Sequence, residues 1–258
     1  MGSTQKMYLQ LRHEARKIVE KQADPEFYTD FSDQVAASKK MLDEHRVLVR
    51  LAKQLSPVLD DDFGHGMLHC RLVGEDAGAL VQIEMSKNSK EHASAEEVKK
   101  NMLLVQTAAL LHDIKRKEKH HSEKGAVFAQ EFLKKENYPF SSEEISVITH
   151  AIREHEAFKK NSSASKSDKA ALISDALYDA DKFRWGPDNF THTVWDMVIY
   201  SNISLDEFIK RYPNGMKKLS QIKKTFRTDT GKIYGPDFIR LGIEAGETLF
   251  KIIEDNYL

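Results

Sequence analysis

Residues 104–126 read LVQTAALLHDIKRKEKHHSEKGA, and this stretch determines both the expected fold and the expected site. An apolar run with helical character ends in the pair His112–Asp113, and a short basic loop leads on to His120 and His121. Neutral imidazole beside carboxylate is a ligand combination that ions of the Zn, Mn or Fe type accept. Because the apolar run predicts a buried helix, polar groups at its end need partners, since unpaired buried charge is costly. The pair therefore predicts that other segments converge on it.

The size and charge of the chain limit its class. With 258 residues, 40% of them hydrophobic and 31% charged, it fits one large domain, or one domain with helical additions. A net charge of -1 argues against stable nucleic-acid binding and against attraction to an anionic membrane. The single cysteine, Cys70, suits a reducing compartment. Without a signal-peptide pattern or an apolar run long enough to span a bilayer, we expect a cytoplasmic protein.

Apolar residues recur at helical spacing along the chain, and convincing period-two alternation is absent, so the predicted fold class is all-α. We expect an N-terminal helical extension over residues 1–60, a metal-binding core over 61–185 and a C-terminal helical extension over 186–258, packed as one compact unit. In the last part, a helix is predicted from Leu205 to Tyr212, and TDTGKIYGPDF (228–238) is interpreted as a Gly/Pro-punctuated break. Trp185, Trp195 and Tyr200 are predicted core residues.

Several histidines outside the central stretch are candidate ligands. His65 and His69 are four residues apart and share one helical face, whereas His150 and His155 are five apart and lie on different faces. Only one of the latter two is expected to face the site. The alternative for each pair is an ordinary structural histidine.

The basic segment IKRKEK (114–119) follows His112–Asp113 directly. Such a run is usually a solvated turn. At the mouth of a metal site it would attract phosphate, because Arg and Lys are the usual partners of oxyanions.

Five segments, in this order, resemble the HD-domain metal-dependent phosphohydrolase superfamily, whose signature is His, then His-Asp, then Asp. The segments are His65–His69, Leu110–Ile114, His121–Ala126, Ala151–His155 and Asp179–Lys182. The resemblance covers somewhat under half of the chain, and it implies an HD-domain helical bundle with additional N- and C-terminal helices.

The resemblance also implies a set of metal ligands. One divalent ion, of Mn, Mg, Co, Ni, Zn or Fe, would be held by His69, His112, Asp113 and Asp181. His121 and His155 would bind a second ion bridged by Asp113, or would hydrogen-bond the substrate phosphate or a metal-bound water. His120 and His150 are the alternatives for those two positions. Asp179 is expected to be a supporting or capping residue instead of a ligand.

Two departures from the family pattern limit which functional expectations can be transferred from the family to this chain. Many relatives have glycine directly after His-Asp-Ile, where this chain has Lys115 followed by Arg116, and the arginine usual near the first ligand is displaced to Arg71. The glycines and Tyr-Pro of the cyclic-dinucleotide subgroup are missing after His155. That specialised subgroup is therefore not expected.

The leading functional prediction is hydrolysis of a phosphate ester of a nucleotide or other small phosphorylated metabolite. The metal would lower the pKa of bound water, and Asp113, Arg116 and Lys182 are the predicted catalytic residues. A homodimer is a further expectation.

Two alternatives stay open at this point. Some HD relatives hold two irons and activate oxygen with a similar His/Asp set, so an HD-type diiron oxygenase is the first alternative. A non-catalytic, metal-stabilised helical module whose flanking regions bind a partner is the second.

Overall fold

The structure is a computed structural model that describes residues 3–59, 66–87, 93–159 and 167–257. Within these residues it contains twelve α-helices, one π-helical turn (Asn189–Thr193) and no strand, which confirms the all-α prediction. The helices are α1 Ser3–Val19, α2 Glu26–Asp30, α3 Ser32–Glu44, α4 Arg46–Leu55, α5 Met67–Lys87, α6 Ala95–Leu111, α7 His121–Lys135, α8 Ser142–Glu154, α9 Asp168–Phe183, α10 Val194–Tyr200, α11 Leu205–Ile222 and α12 Asp229–Tyr257.

Helices α5 and α6 form the centre of the molecule, where α5 packs against α3, α6 and α9 and α6 also packs against α8. Every residue of α6 from Leu104 to Leu111 is buried, as expected for a helix that is apolar on all faces. Ser94 caps its start by accepting a hydrogen bond from the Glu97 amide. The helix ends at the position of His112, so it delivers the central His-Asp pair into the interior.

Helices α8 and α9 are started by side-chain caps that the sequence encodes. Ser141 and Glu144 form a capping box at the start of α8, and Ser167 accepts a hydrogen bond from the Ala170 amide at the start of α9. Their carboxyl ends carry His155 and Asp181 respectively. The two helices pack against each other, so these side chains approach the same point.

The C-terminal extension differs from the sequence-based expectation. Helix α11 continues beyond Tyr212 through Pro213, and TDTGKIYGPDF is not a break because most of it forms the first turns of α12. The glycines of this segment allow close packing. A Cβ atom on Gly235 would lie 2.4 Å from the Phe226 ring. Glycines that serve packing give the same sequence pattern as glycines that serve turns, which is why the expectation was wrong.

A second close approach joins α12 to the turn after α9. A Cβ atom on Gly242 would lie 2.9 Å from the Gly186 Cα, and a Cβ on Gly186 would lie 2.8 Å from the Phe238 carbonyl oxygen. The two backbones therefore touch without any side chain between them.

Aromatic residues join the two extensions. Trp195 is fully buried beside Tyr8 of α1 and Phe208 of α11, and the Tyr8 hydroxyl donates to the Ile203 carbonyl at 2.9 Å. Tyr200, a predicted core residue, is 49% exposed. Its ring instead lies beneath the Lys117 ammonium, 5.1 Å from the ring centroid, a cation–π arrangement that suits a surface position.

Asp179 anchors the start of α12 to the end of α9, as expected for a capping residue. Its carboxylate accepts from the backbone amides of Arg227 and Thr228, both at 2.8 Å, and from the Thr228 hydroxyl at 2.7 Å. A Cβ on Gly231 would lie 2.0 Å from its Oδ2 atom, so only glycine fits there. Asp179 is completely buried.

The buried carboxyl groups predict a pH-dependent stability. Burial raises the pKa of Asp179 to about 7, and burial also raises that of Asp76 to about 7. Between about pH 4 and pH 7, these two carboxyl groups are ionised in the unfolded chain but still protonated in the folded protein. The free energy of unfolding therefore falls as pH rises, by up to about 1.4 kcal/mol per pH unit for each group.

Urea unfolding of wild type and Asp179→Asn, in chelator from pH 4.5 to 7.5, tests this. The neutral amide cannot lose a proton, so we expect the variant to gain stability relative to wild type as pH rises. A difference between the two proteins that does not change with pH would contradict the assignment.

Candidate metal centre

The structure brings all of the predicted metal ligands together at one point. The contributing elements are the first turn of α5, the end of α6, the first residue of α7, the end of α8 and the last turn of α9. The ligand-capable side chains are His69, His112, Asp113, His121, His155 and Asp181. Among the described residues, the atoms of His69, His112 and Asp113 form one compact group, and those of Asp113, His121 and His155 form another.

The first group surrounds one oxygen of Asp113. The Nε2 atoms of His69 and His112 are 3.3 Å apart, and Asp113 Oδ2 lies 3.4 Å from His112 Nε2 and 3.8 Å from His69 Nε2. Asp181 joins this group, because its Oδ1 atom lies 3.4 Å from His69 Nε2. Two imidazoles and two carboxylates thus face a common centre.

The second group surrounds the other oxygen of the same carboxylate. The Nε2 atoms of His121 and His155 are 3.3 Å apart, and Asp113 Oδ1 lies 3.6 Å from the first and 3.4 Å from the second. Asp113 therefore presents one oxygen to each group.

Hydrogen bonds orient two of these rings through Nδ1, the ring nitrogen that faces away from the ligand groups. His112 Nδ1 lies 2.7 Å from the Ala109 carbonyl oxygen, and His155 Nδ1 lies 2.6 Å from that of Ile152. A carbonyl can only accept, so each Nδ1 carries a proton and donates it. In the neutral ring the Nε2 lone pair is then free to point at the centre, which is the usual arrangement of a metal-binding histidine.

The His121 ring is held from two sides. Its Nδ1 atom lies 3.3 Å from Glu156 Oε1, and Arg116 Nη1 donates to its Nε2 atom at 3.1 Å. Because a guanidinium has no acceptor, His121 Nε2 must present a lone pair to it. Burial lowers the pKa of His121 to about 4, so this ring is neutral near pH 7.

The electrostatics of the site favour a cation. Burial by itself would lower the pKa of His112, but the Asp113 carboxylate outweighs it and holds that pKa well above its usual value. Burial would raise the pKa of Asp181, but Lys182 outweighs it and holds that pKa well below its usual value. The site thus keeps Asp181 ionised and favours a proton at His112, and a metal ion would displace that proton.

These distances and atom types fit divalent metal ions. Two ligand atoms held about 2.1 Å from one ion are roughly 3.0–3.4 Å apart at tetrahedral or octahedral angles, and the closest pairs here are 3.3 and 3.4 Å apart. His69, His112, Asp113 and Asp181 would hold one ion. His121, His155 and the second oxygen of Asp113 would hold another.

A scan against protein-family models matches the segment that carries these residues. Residues 68–185 match the model of the HD domain. This segment is an HD domain. HD domains are generally metal-dependent hydrolases, and the resemblance drawn from the sequence motifs is confirmed. Searches of the curated proteins and of the solved structures found no match. Within the described residues, none of the helices is both long enough and apolar enough to cross a membrane.

The alternative histidines lie away from the centre of the HD domain. His120 is exposed, with a left-handed backbone (φ 58°) just before α7, and half-buried His150 belongs to neither ligand group. His65 lies outside the described residues. His121 and His155 are thus the residues that the fold brings to Asp113.

Two predicted phosphate-contacting residues occupy different environments in the HD domain. Arg116 is exposed beside His121, whereas Lys182 is 3% exposed and donates to Asp181 and, at 3.0 Å, to the His155 carbonyl. Lys182 therefore positions ligands in this structure. Its contact with phosphate stays a prediction.

Sequence reasoning missed two polar residues that support the HD domain. Glu156 follows the candidate ligand His155 directly, and this adjacency was a usable signal. Arg184 is buried just after α9, where its guanidinium donates to Asp76 and, at 2.5 Å, to Asp188. Nothing in the local sequence distinguishes this arginine from a surface one.

A cavity of about 550 Å³ opens from the ligand groups into the space between the HD domain and the C-terminal extension. His69, Asp113, His121, His155 and Asp181 line one end of it, together with Arg116 and Lys182. A volume of this size accommodates a small-molecule substrate.

Proposed function

We propose that this protein is a metal-dependent phosphohydrolase that cleaves phosphate esters of small molecules. The observation that carries the proposal is the position of Asp113, which presents one carboxylate oxygen to each of two histidine pairs that border a cavity. When bound, divalent ions supply charge stabilisation for phosphoryl oxygens and activate a water molecule.

Other residues of the chain would orient the candidate ligands, keep them in the required protonation state and shield them from water. Backbone carbonyls at Ala109 and Ile152 keep two histidine rings in the ligand-competent tautomer. Lys182 keeps Asp181 ionised and ties it to the end of α8. Burial excludes bulk water from the carboxylates, so their interactions with cations are stronger than at a surface.

Arg116 would contact the substrate phosphate. Its guanidinium donates to the His121 Nε2 lone pair, which is the same lone pair that a metal ion would take. His121 Nε2 could not serve both partners, so in a metal-bound protein the guanidinium would be available to the cavity, which Arg116 lines. A planar guanidinium suits the charge that develops on phosphoryl oxygens.

Arg116→Ala tests this role. We expect kcat/KM for phosphate release to fall by about 10²-fold, because one charged donor to the reacting oxygens is lost. We also expect metal to bind more tightly at the His121 group, since its competitor is gone, and metal titration of the purified protein reads this separately from activity.

Arg153→Ala is the matched control, because Arg153 is exposed on α8 and does not line the cavity. Its kcat/KM and its metal affinity should equal those of wild type. Equal losses in both variants, or an unchanged rate in Arg116→Ala, would contradict the proposed contact.

The proposal as a whole is tested by a screen of metal-quantified protein against a panel of phosphate esters, with Mn, Mg, Co, Ni, Zn and Fe in turn. Phosphate release that a chelator abolishes would support it. Two bound irons with oxygen uptake would favour the oxygenase alternative instead. Bound metal without turnover of any compound would favour the structural role.

A further inference from the structure

The cavity has two chemically different parts. The end formed by the HD domain carries the ligand groups. The rest is lined mainly by side chains from the π-helical turn, from α10 and α11, and from the turn between these two helices, all of which lie outside the HD-domain match. This second wall, called here the apolar wall, consists of Phe190, Val194, Val198, Ile203, Phe208 and Met216.

Few hydrogen-bonding groups interrupt the apolar wall. Tyr212 lines the cavity, but its hydroxyl donates to the Gly246 carbonyl at 2.9 Å and is therefore directed away. Asn189 and Thr193 are the uncharged polar side chains among the described lining residues of this region. A ligand that fills this part meets aliphatic carbon and aromatic rings over most of its surface.

Exposed side chains of two kinds, cationic and apolar, also line the cavity. Arg211 and Lys218 of α11 line it, as do Phe158 and Met197, which are 56% and 38% exposed. Exposed apolar side chains beside basic ones suit a ligand that combines an anionic group with an apolar body.

We infer that the substrate is a phosphate monoester whose organic part is an apolar chain or ring, seated against the apolar wall with its phosphate at the ligand groups. This inference rests on the proposed function and narrows it. A nucleotide would have to bury ribose hydroxyls and base edges against a wall that offers few hydrogen-bond partners, which costs free energy for each group left unpaired. An alkyl or aromatic group has no hydrogen bonds to lose, and its transfer from water to the apolar wall is favourable in free energy.

The kinetic test uses metal-loaded full-length protein and a series of straight-chain alkyl phosphates from ethyl to decyl, with a nucleoside 5′-monophosphate for comparison. We expect kcat/KM to rise about fourfold per methylene group until the cavity is filled. The nucleoside monophosphate should fall about 10²-fold or more below octyl phosphate. A flat series, or a nucleoside monophosphate that is hydrolysed faster than octyl phosphate, overturns the inference.

Variants of the wall connect this result to the structure. Met216→Gln keeps nearly the same shape and places an amide against the apolar wall, so the octyl-to-ethyl ratio of kcat/KM should fall about tenfold. Ile203→Trp should move the plateau to shorter chains, because the indole takes up cavity volume. Since each readout is a ratio or a chain length, a partial loss of folded protein does not change it.

Met41→Gln is the matched control. Met41 is half-buried on α3 and does not line the cavity, so the octyl-to-ethyl ratio should equal that of wild type. A fall in the ratio equal to that of Met216→Gln would overturn the assignment of the wall.

A binding measurement separates the inference from the proposed function. Calorimetry with octylphosphonate, which cannot be hydrolysed as an ester, should give binding with a negative heat-capacity change. If no ester is hydrolysed, the proposed function fails, and octylphosphonate binding that Met216→Gln weakens still supports the apolar site. Absence of octylphosphonate binding overturns the inference whatever the activity.

Discussion

Asp113→Asn is expected to lower phosphate release by about 10³-fold or more and to reduce the bound metal at both ligand groups. The substitution keeps the size of the side chain and removes its charge. In the wild-type protein, each oxygen of the Asp113 carboxylate lies 3.4 Å from a histidine Nε2 atom. One of these histidines is His112 of the first group, and the other is His155 of the second. No other described residue belongs to both groups, so the loss of this carboxylate removes a ligand atom from each.

Substitutions within one group should have narrower effects. His121→Gln removes a ligand of the second group, and about half of the bound metal should remain if both groups fill. His150→Gln and His120→Gln should leave metal content and turnover as in wild type, because neither residue belongs to a group. Metal analysis per mole of protein, phosphate release and far-ultraviolet circular dichroism measure these outcomes. Full metal content in Asp113→Asn would contradict a shared ligand.

Arg184→Met is expected to lower the free energy of unfolding by about 3–5 kcal/mol, because it leaves a buried carboxylate without its cation. Arg184 is 6% exposed and Asp76 2% exposed, and the guanidinium of the first donates to the carboxylate of the second. Tyr28 and Asp188 complete the cluster around the same guanidinium. Methionine fills similar space without charge or hydrogen-bond donors.

Arg240→Met provides the control, since Arg240 is exposed and pairs with Asp237 and Glu244 on the surface of α12. That change should cost about 0–1 kcal/mol. Urea unfolding of both variants in chelator measures the difference. The loss in Arg184→Met should also shrink at acid pH, where Asp76 takes up a proton and no longer needs a cation. Equal losses in the two variants, or a loss that does not change with pH, would contradict the ion-pair account.

The sequence predicted the convergence of imidazoles and carboxylates, because the proposed chemistry needs particular residue types at particular places; their role as metal ligands stays a prediction. Imidazoles and carboxylates at the ends of buried apolar helices need polar partners, and these partners are most readily one another. His69, His112 and Asp181 lie together as expected. Choosing between neighbours, such as His120 and His121, depended on the backbone. A left-handed residue at His120 starts α7 and turns the next side chain toward Asp113.

The apolar wall could not be predicted, because a side chain that lines a cavity and one that fills a core obey the same pattern. Phe190, Val198 and Phe208 show the helical spacing of core residues, and only the three-dimensional arrangement leaves space between them. Likewise, Pro213 and Pro236 read as breaks, but each lies within a helix whose packing outweighs a missing backbone hydrogen bond.

The contact between Gly186 and Gly242 has a consequence for motion. Two backbones that touch directly have no side chain that can change rotamer to let them slide, and separating them would open a gap that nothing fills. The turn after α9 and helix α12 are therefore expected to move as one body, without a hinge between the HD domain and the C-terminal extension. Arg184 and Trp185, which line the cavity directly before Gly186, are then expected to keep a fixed position relative to α12.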